Sequence, residues 1–202
     1  MSFISNFPFT SMILGFTVLI SLIALYKDES IFDKLILHPF GMFRNSEYYR
    51  LISHAFLHAD IWHLMFNMFS FHSFAPYLEM KFGPTRFLVL YFGAILVSVY
   101  TTVMKNRYNA AYRCLGASGG VSGVIFAFIL LEPNAKLRIL IFPIPAPAYI
   151  FGLIYLAYSY FSSQNDDNIN HEAHFYGAIF GIFITALFFP ESVGNFMQQI
   201  RG

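Results

Sequence analysis

Ser118 lies in the segment Leu115-Gly116-Ala117-Ser118-Gly119-Gly120-Val121-Ser122-Gly123, among four glycines. At the start of a helix such a segment offers unsatisfied backbone N–H groups, and its glycines let another backbone approach closely. Both properties suit a serine nucleophile whose tetrahedral intermediate carries an oxyanion. The same residues also read as a packing helix, because Gly116/Gly120 and Gly119/Gly123 are small-xxx-small pairs.

A serine hydroxyl is a weak nucleophile and needs an adjacent base. His174 is the candidate. With Gly177 and Gly181 it holds positions i, i+3 and i+7 of one helix face, so it points at a close helix neighbour. A hydrogen-bonded structural histidine is the other reading of His174, and His171 reads as a rim residue. Phe175 and Tyr176 are the aromatics proposed to fix the imidazole. A third group is His54, His58, His63 and Asn67. His63 and Asn67, at i and i+4, point the same way and offer two side-chain donors to an oxyanion, with the Ser118 N–H as a third. His54 and His58 read as structural hydrogen-bonding residues tying the first loop to the bundle, and His72 as structural or interfacial. Cys114, the single cysteine, reads as a small apolar filler.

The elements that must carry these residues follow from composition. Of 202 residues, 57% are hydrophobic and only 11% charged, against about 25% in a soluble domain. That charge cannot cover a soluble surface. A net charge of +1 also disfavours nucleic-acid binding, which needs clustered Lys and Arg. A membrane protein remains. A spanning helix needs about 20 apolar residues, and six stretches free of Asp, Glu, Lys and Arg qualify: 1–26, 61–78, 87–104, 114–131, 139–165 and 173–190. The second is extended back toward Leu51, since Ser53–Leu57 carries no turn signal. Residues 35–43 are too short to span and read as an interfacial segment. Residues 162–170 read as a polar, flexible loop. Lys and Arg counts, five on one side and seven on the other, do not orient the chain. No signal peptide or transit peptide is expected. With no carboxylate in the apolar part of any stretch, the machinery would be a Ser–His dyad.

On these residues the sequence resembles the rhomboid family of intramembrane serine proteases. Gly116-Ala117-Ser118-Gly119 is similar to its nucleophile motif, and Ala173-His174 with Gly177 and Gly181 to the helix carrying its catalytic base. His54, His58, His63 and Asn67 resemble its histidine-rich second helix. Tyr49-Arg50 matches the aromatic–Arg pair closing its first loop, and Glu79-x3-Gly83-x2-Arg86-Phe87 its second-to-third helix turn. The resemblance covers about residues 40–190.

The resemblance implies an all-α membrane protein: a single domain over 1–202, a six-transmembrane-helix rhomboid-like bundle. Its spans are expected at about 8–26, 53–78, 85–104, 115–131, 144–162 and 171–190. It implies catalysis by Ser118 and His174 in a water-filled cavity below the membrane surface. His63, Asn67, Gly116 and Gly119 are implied at the oxyanion and binding site, with Arg50, His54, His58, Gly177 and Gly181 as structural support. The N-terminus would be inside, and entry would depend on movement of helix five. Substrates would be single-pass transmembrane proteins in the lipid bilayer, with no cofactor or metal and no nucleic acid. The expected location is the bacterial plasma (inner) membrane. Two positions depart from the family. Ser122 stands where an aromatic usually stacks on the catalytic imidazole, and Tyr49 where Trp is common. No seventh helix or appended soluble domain is expected.

Three rivals compete. Gly116-x-Ser118-x-Gly120 fits the α/β-hydrolase elbow, but no buried strand precedes it. A membrane metalloenzyme would use His54-x3-His58 or His171-x2-His174, yet His171-Glu172-Ala173-His174 is one residue short of the zincin spacing. A catalytically inactive rhomboid-like membrane binding protein would be expected to lack the serine or the histidine.

Overall fold

The computed structural model describes residues 3–139, 142–162 and 170–201. In chain order they form α1 (Phe3–Asn6), α2 (Pro8–Tyr26), α3 (Ser30–Leu35), α4 (Pro39–Asn45) and α5 (Arg50–Ser53), then a 3-10 turn at His54–Phe56. These are followed by α6 (Ile61–Phe82), α7 (Pro84–Asn106), α8 (Ser118–Leu131), β1 (Lys136–Ile139), β2 (Phe142–Pro147), α9 (Ala148–Ser162), α10 (His171–Phe188) and α11 (Glu191–Arg201). Pro8, Pro39 and Pro84 open their helices, where the missing N–H would have had no intrahelical partner. Gly83, at φ 74°, turns the chain between α6 and α7.

The short helix α8 is the centre of the molecule, packed by α6, α7 and α10. Its contact with α10 is set by glycine. A Cβ on Gly177 would overlap the Gly119 carbonyl, and one on Gly181 would overlap Gly123. The two backbones therefore meet directly along one stripe. On the other side of α8, Val121 and Val124 join Phe71, Leu90, Tyr91 and Ile95 in the main core.

Among the described residues, two helices, α2 and α7, are long and apolar enough to cross a membrane. A third counts if α10 and α11, which meet at 111°, are taken as one bent span. α8 and α9 are apolar but shorter, with 14 and 15 residues. At 1.5 Å per residue α8 is about 21 Å long, against a hydrocarbon core of about 30 Å. The fold is thus a mostly helical membrane protein with two to three spans by length and composition among the described residues, where the sequence predicts six.

Several boundaries differ from expectation. The second span does not run from 53. The chain breaks after Phe56, and α6 begins at Ile61 because the Asp60 side chain caps it, accepting from the His63 N–H at 2.8 Å. His54 and His58 are therefore not one turn apart on a common helix. The fifth span does not begin at 144. Pro143, Pro145 and Pro147 forbid a helix and instead lie in a hairpin strand, with Leu137 paired to Ala146. The sixth helix ends at Phe188, and α11, absent from the sequence reading, follows it. Residues 35–43 do not form one free interfacial segment. Leu37 and Met42 bury against Val99 and Val103 of α7, and Leu37 bridges Cys114. Of the polar loop expected at 162–170, residues 163–169 lie outside the described residues.

Glu79 corrects the expectation that carboxylates stop at the ends of the spans. It lies inside α6 and is only 5% exposed. Its two oxygens accept from Phe9 N at 3.0 Å and Thr10 N at 2.7 Å. These are the orphan donors of the α2 first turn, so the helix end and the carboxylate satisfy each other. Sixteen residues separate Glu79 from His63, roughly 24 Å along the helix, so it is no third member of a catalytic triad.

Candidate active site

Ser118 is the first residue of α8. The loop leading to it is fixed by backbone pairing, with Cys114 bridged to Leu37 and Gly116 N donating to the His54 carbonyl at 3.0 Å. Gly116 has φ 116°, a conformation only glycine adopts readily. A Cβ there would also meet His63 Cε1 at 2.9 Å. The histidine ring thus lies directly against the turn that presents the serine.

His174 occupies the first turn of α10, which Asn170 caps by accepting from Ala173 N at 3.0 Å. Asn170 also donates to Thr102 Oγ1 at 2.8 Å, tying the start of α10 to α7. A Lys105–Glu172 ion pair joins the same two helices at 2.5 Å. Across the glycine stripe, His174 Nε2 stands 2.8 Å from Ser118 Oγ. In the tautomer with its proton on Nδ1, the imidazole accepts the serine proton through Nε2.

Ser118 and His174 open on a cavity of about 1160 Å³, also lined by His63, Asn67, Gly116, Gly119 and His54. Asn67 is buried, and its Nδ2 donates to the His63 carbonyl at 3.0 Å. One amide hydrogen is therefore committed within α6, and the second is left for the cavity. The structure gathers Ser118, His174, His63, Asn67, Gly116 and Gly119 around one space. It sets Arg50, His58, Gly177 and Gly181 outside that space.

Those outer residues hold the frame. Arg50 is buried and ties three points of the first loop together. Its Nε pairs with Glu47 at 2.6 Å, and NH1 donates to the Asp33 and Ile36 carbonyls, each at 2.8 Å. The hydrogen bond from Arg50 holds the Glu47 carboxyl below its usual range. His54 Nδ1 donates to the Arg50 carbonyl at 2.9 Å. His58 Nδ1 meets Ser21 Oγ at 3.0 Å, and its ring stands 4.9 Å from that of His63.

The aromatic support of the imidazole is not Phe175 or Tyr176. Phe175 pairs with Tyr160 and Tyr176. Tyr155 of α9 stacks on His174 instead, at 6.1 Å between ring centroids and 25° between planes. The sequence reading missed Tyr155, Asp60 and Asn170. Asp60 and Asn170 carried a signal as N-cap residues ahead of apolar helices. Tyr155 carried none. Among the described residues, no cluster of three or more His, Cys, Asp or Glu could hold a metal ion.

A family model of the rhomboid domain matches residues 45–191. The chain belongs to the rhomboid family. It is 32% identical over 145 residues to YdcA of Bacillus subtilis, provisionally named a rhomboid protease, covering 71% of this chain and 68% of that protein. It is 27% identical over 158 residues to the rhomboid protease GlpG of Haemophilus influenzae, covering 78% and 77%. A mitochondrial relative, Rhomboid protein 1 of Saccharomyces cerevisiae, is 31% identical over 136 residues, and the chain spans only 39% of its length. The chain is thus a membrane protein of a family whose bacterial members include ones named as proteases and which also has mitochondrial members.

Proposed function

We propose that this rhomboid protein is an intramembrane serine endopeptidase acting through a Ser118–His174 dyad. The observation that carries the reading is the 2.8 Å contact between Ser118 Oγ and His174 Nε2, both lining one cavity. His174 removes the Ser118 proton as Oγ attacks the scissile carbonyl, and the resulting imidazolium returns that proton to the leaving amine. The oxyanion meets the Ser118 N–H at the head of α8, His63 and the free Asn67 amide hydrogen. Water then hydrolyses the acyl-enzyme with His174 again as base, restoring the serine.

The substrate class in this reading is the transmembrane segment of a single-pass membrane protein. Its support is a reactive pair whose serine sits on the most buried helix of a membrane bundle and whose histidine sits on the helix packed against it, with a scarcity of charge that suits apolar chains. The six-span count, a single domain over 1–202 and a bacterial plasma-membrane location belong to the same proposal. α6, α8 and α9 would be spans shortened or made polar by the cavity, and YdcA and GlpG are bacterial. Labelling of the purified protein with a fluorophosphonate probe tests the chemistry. Wild type is expected to label, and Ser118→Ala is not. A folded wild type that resists the probe would favour a non-enzymatic rhomboid protein.

A further inference from the structure

Position 122, one turn beyond the nucleophile, is a serine. The space beside it is filled from another helix. The Ser122 hydroxyl donates to the Ser118 carbonyl at 2.8 Å, which leaves its oxygen to accept from the Tyr155 hydroxyl at 2.6 Å. Tyr155 also packs against Phe126 of α8, with ring centroids 5.7 Å apart. Its ring is thereby fixed over His174, and it lines the same cavity as the reactive pair.

The pairing repeats one turn on. Tyr158 meets His171 edge-on at 5.3 Å, and His171 meets His174 at 6.0 Å. Two tyrosines three residues apart on α9 thus face two histidines three residues apart on α10. Elsewhere α9 turns Leu153, Ile154, Tyr160 and Phe161 outward.

We propose that Tyr155 is the positioning residue for the His174 imidazole, latched through Ser122 to the nucleophile's own carbonyl. The base is then aligned by a helix that bears neither the base nor the nucleophile, and its alignment depends on α9 remaining packed against α8. This inference rests on the protease reading for its effect on rate, but not for the placement of the ring.

The test is a set of full-length variants in detergent and in proteoliposomes, assayed for cleavage of one transmembrane peptide. Tyr155→Ala is expected to lower kcat by about tenfold or more, with KM changed less than about threefold, because the base and not substrate contact is disturbed. Tyr155→Phe keeps the ring and should lose less. Ser122→Tyr alone should also be impaired, since two rings would compete for one space. Ser122→Tyr combined with Tyr155→Ala should recover to within about threefold of wild type, a coupling that independent sites would not give. A Tyr155→Ala enzyme of wild-type kcat, or a double variant no better than Tyr155→Ala, overturns the proposal.

A second readout needs no turnover. In protein carrying 13C-labelled histidine, the His174 ring resonances should move in Tyr155→Ala and stay close to wild type in Tyr155→Phe. Resonances unmoved by Tyr155→Ala overturn the placement. A wild type inert to the fluorophosphonate probe, with His174 still shifting in Tyr155→Ala, would overturn the protease reading and support the placement.

Discussion

Gly177 of α10 rests against the Gly119 carbonyl of α8 with no room for a Cβ between them. His174 lies one turn before Gly177 and Ser118 one residue before Gly119, so this backbone contact sets the 2.8 Å between base and nucleophile. Valine at Gly177 should separate these two helices, and valine at Gly119 should drive its side chain into Ser98 of α7. Overpacking of this kind costs about 1–3 kcal/mol, and here it should also lower probe labelling. Gly15, with open space where a Cβ would go, is the control. Thermal unfolding in detergent should show a clear loss for Gly119→Val and Gly177→Val, and none for Gly15→Ala.

Gly116→Ala should damage activity more than stability. The new methyl group would press on His63 and would sit on a backbone at φ 116°. His63→Ala and Asn67→Ala should each slow cleavage by roughly one to three orders of magnitude, the range for loss of an oxyanion donor. Single-turnover kinetics on folded variants reads this. Unchanged rates in both alanine variants would remove these residues from the oxyanion site.

Glu79→Gln should destabilise the protein without touching the site. Its carboxylate takes two backbone N–H groups of α2, and an amide presents an N–H to one of them. A buried donor left without a partner costs about 1–3 kcal/mol. Unfolding in detergent should show that loss, while the fraction that remains folded labels at the wild-type rate.

The Arg50 clamp gives a pH prediction. The folded Glu47 carboxyl titrates below its usual range because of Arg50, so its contribution is complete above the unfolded value of about 4.3 and falls away as pH drops through the lowered folded value. Hydrogen exchange over residues 30–53, taken relative to the intrinsic rate at each pH, should therefore hold steady from neutral pH to about 5 and accelerate below about 4. Arg50→Lys should accelerate it at all pH values, because an ammonium cannot reproduce the guanidinium fork that reaches Glu47, Asp33 and Ile36 together.

The site was more legible in the sequence than the bundle was. Ser118 and His174 could be matched because glycines at intervals of four residues mark both helices as surfaces for close approach, a local pattern with a direct spatial meaning. The chain around them was harder. Judged by charge, the second span ends at Glu79, because nothing local shows that the α2 N-terminus will satisfy a buried carboxylate. His54–Leu57 reads as helix because nothing local opposes one, although Asp60 is a visible cap. The fifth span reads as starting among prolines that build a hairpin. In α11, Val193, Phe196, Met197 and Ile200 recur at helical spacing, a signal that a search for spans passes over. Tyr155 was beyond reach, because its role depends on a hydroxyl 33 residues away.

The central claim is that Ser118 and His174 together cleave a peptide bond within the membrane. Its most direct measurement is cleavage of one reconstituted transmembrane helix in proteoliposomes by wild type, Ser118→Ala and His174→Ala, with folding of each verified. The account predicts a defined cut by wild type and none by either variant. Cleavage by Ser118→Ala at the wild-type rate and position, or a folded wild type that leaves a panel of such helices intact, would contradict it.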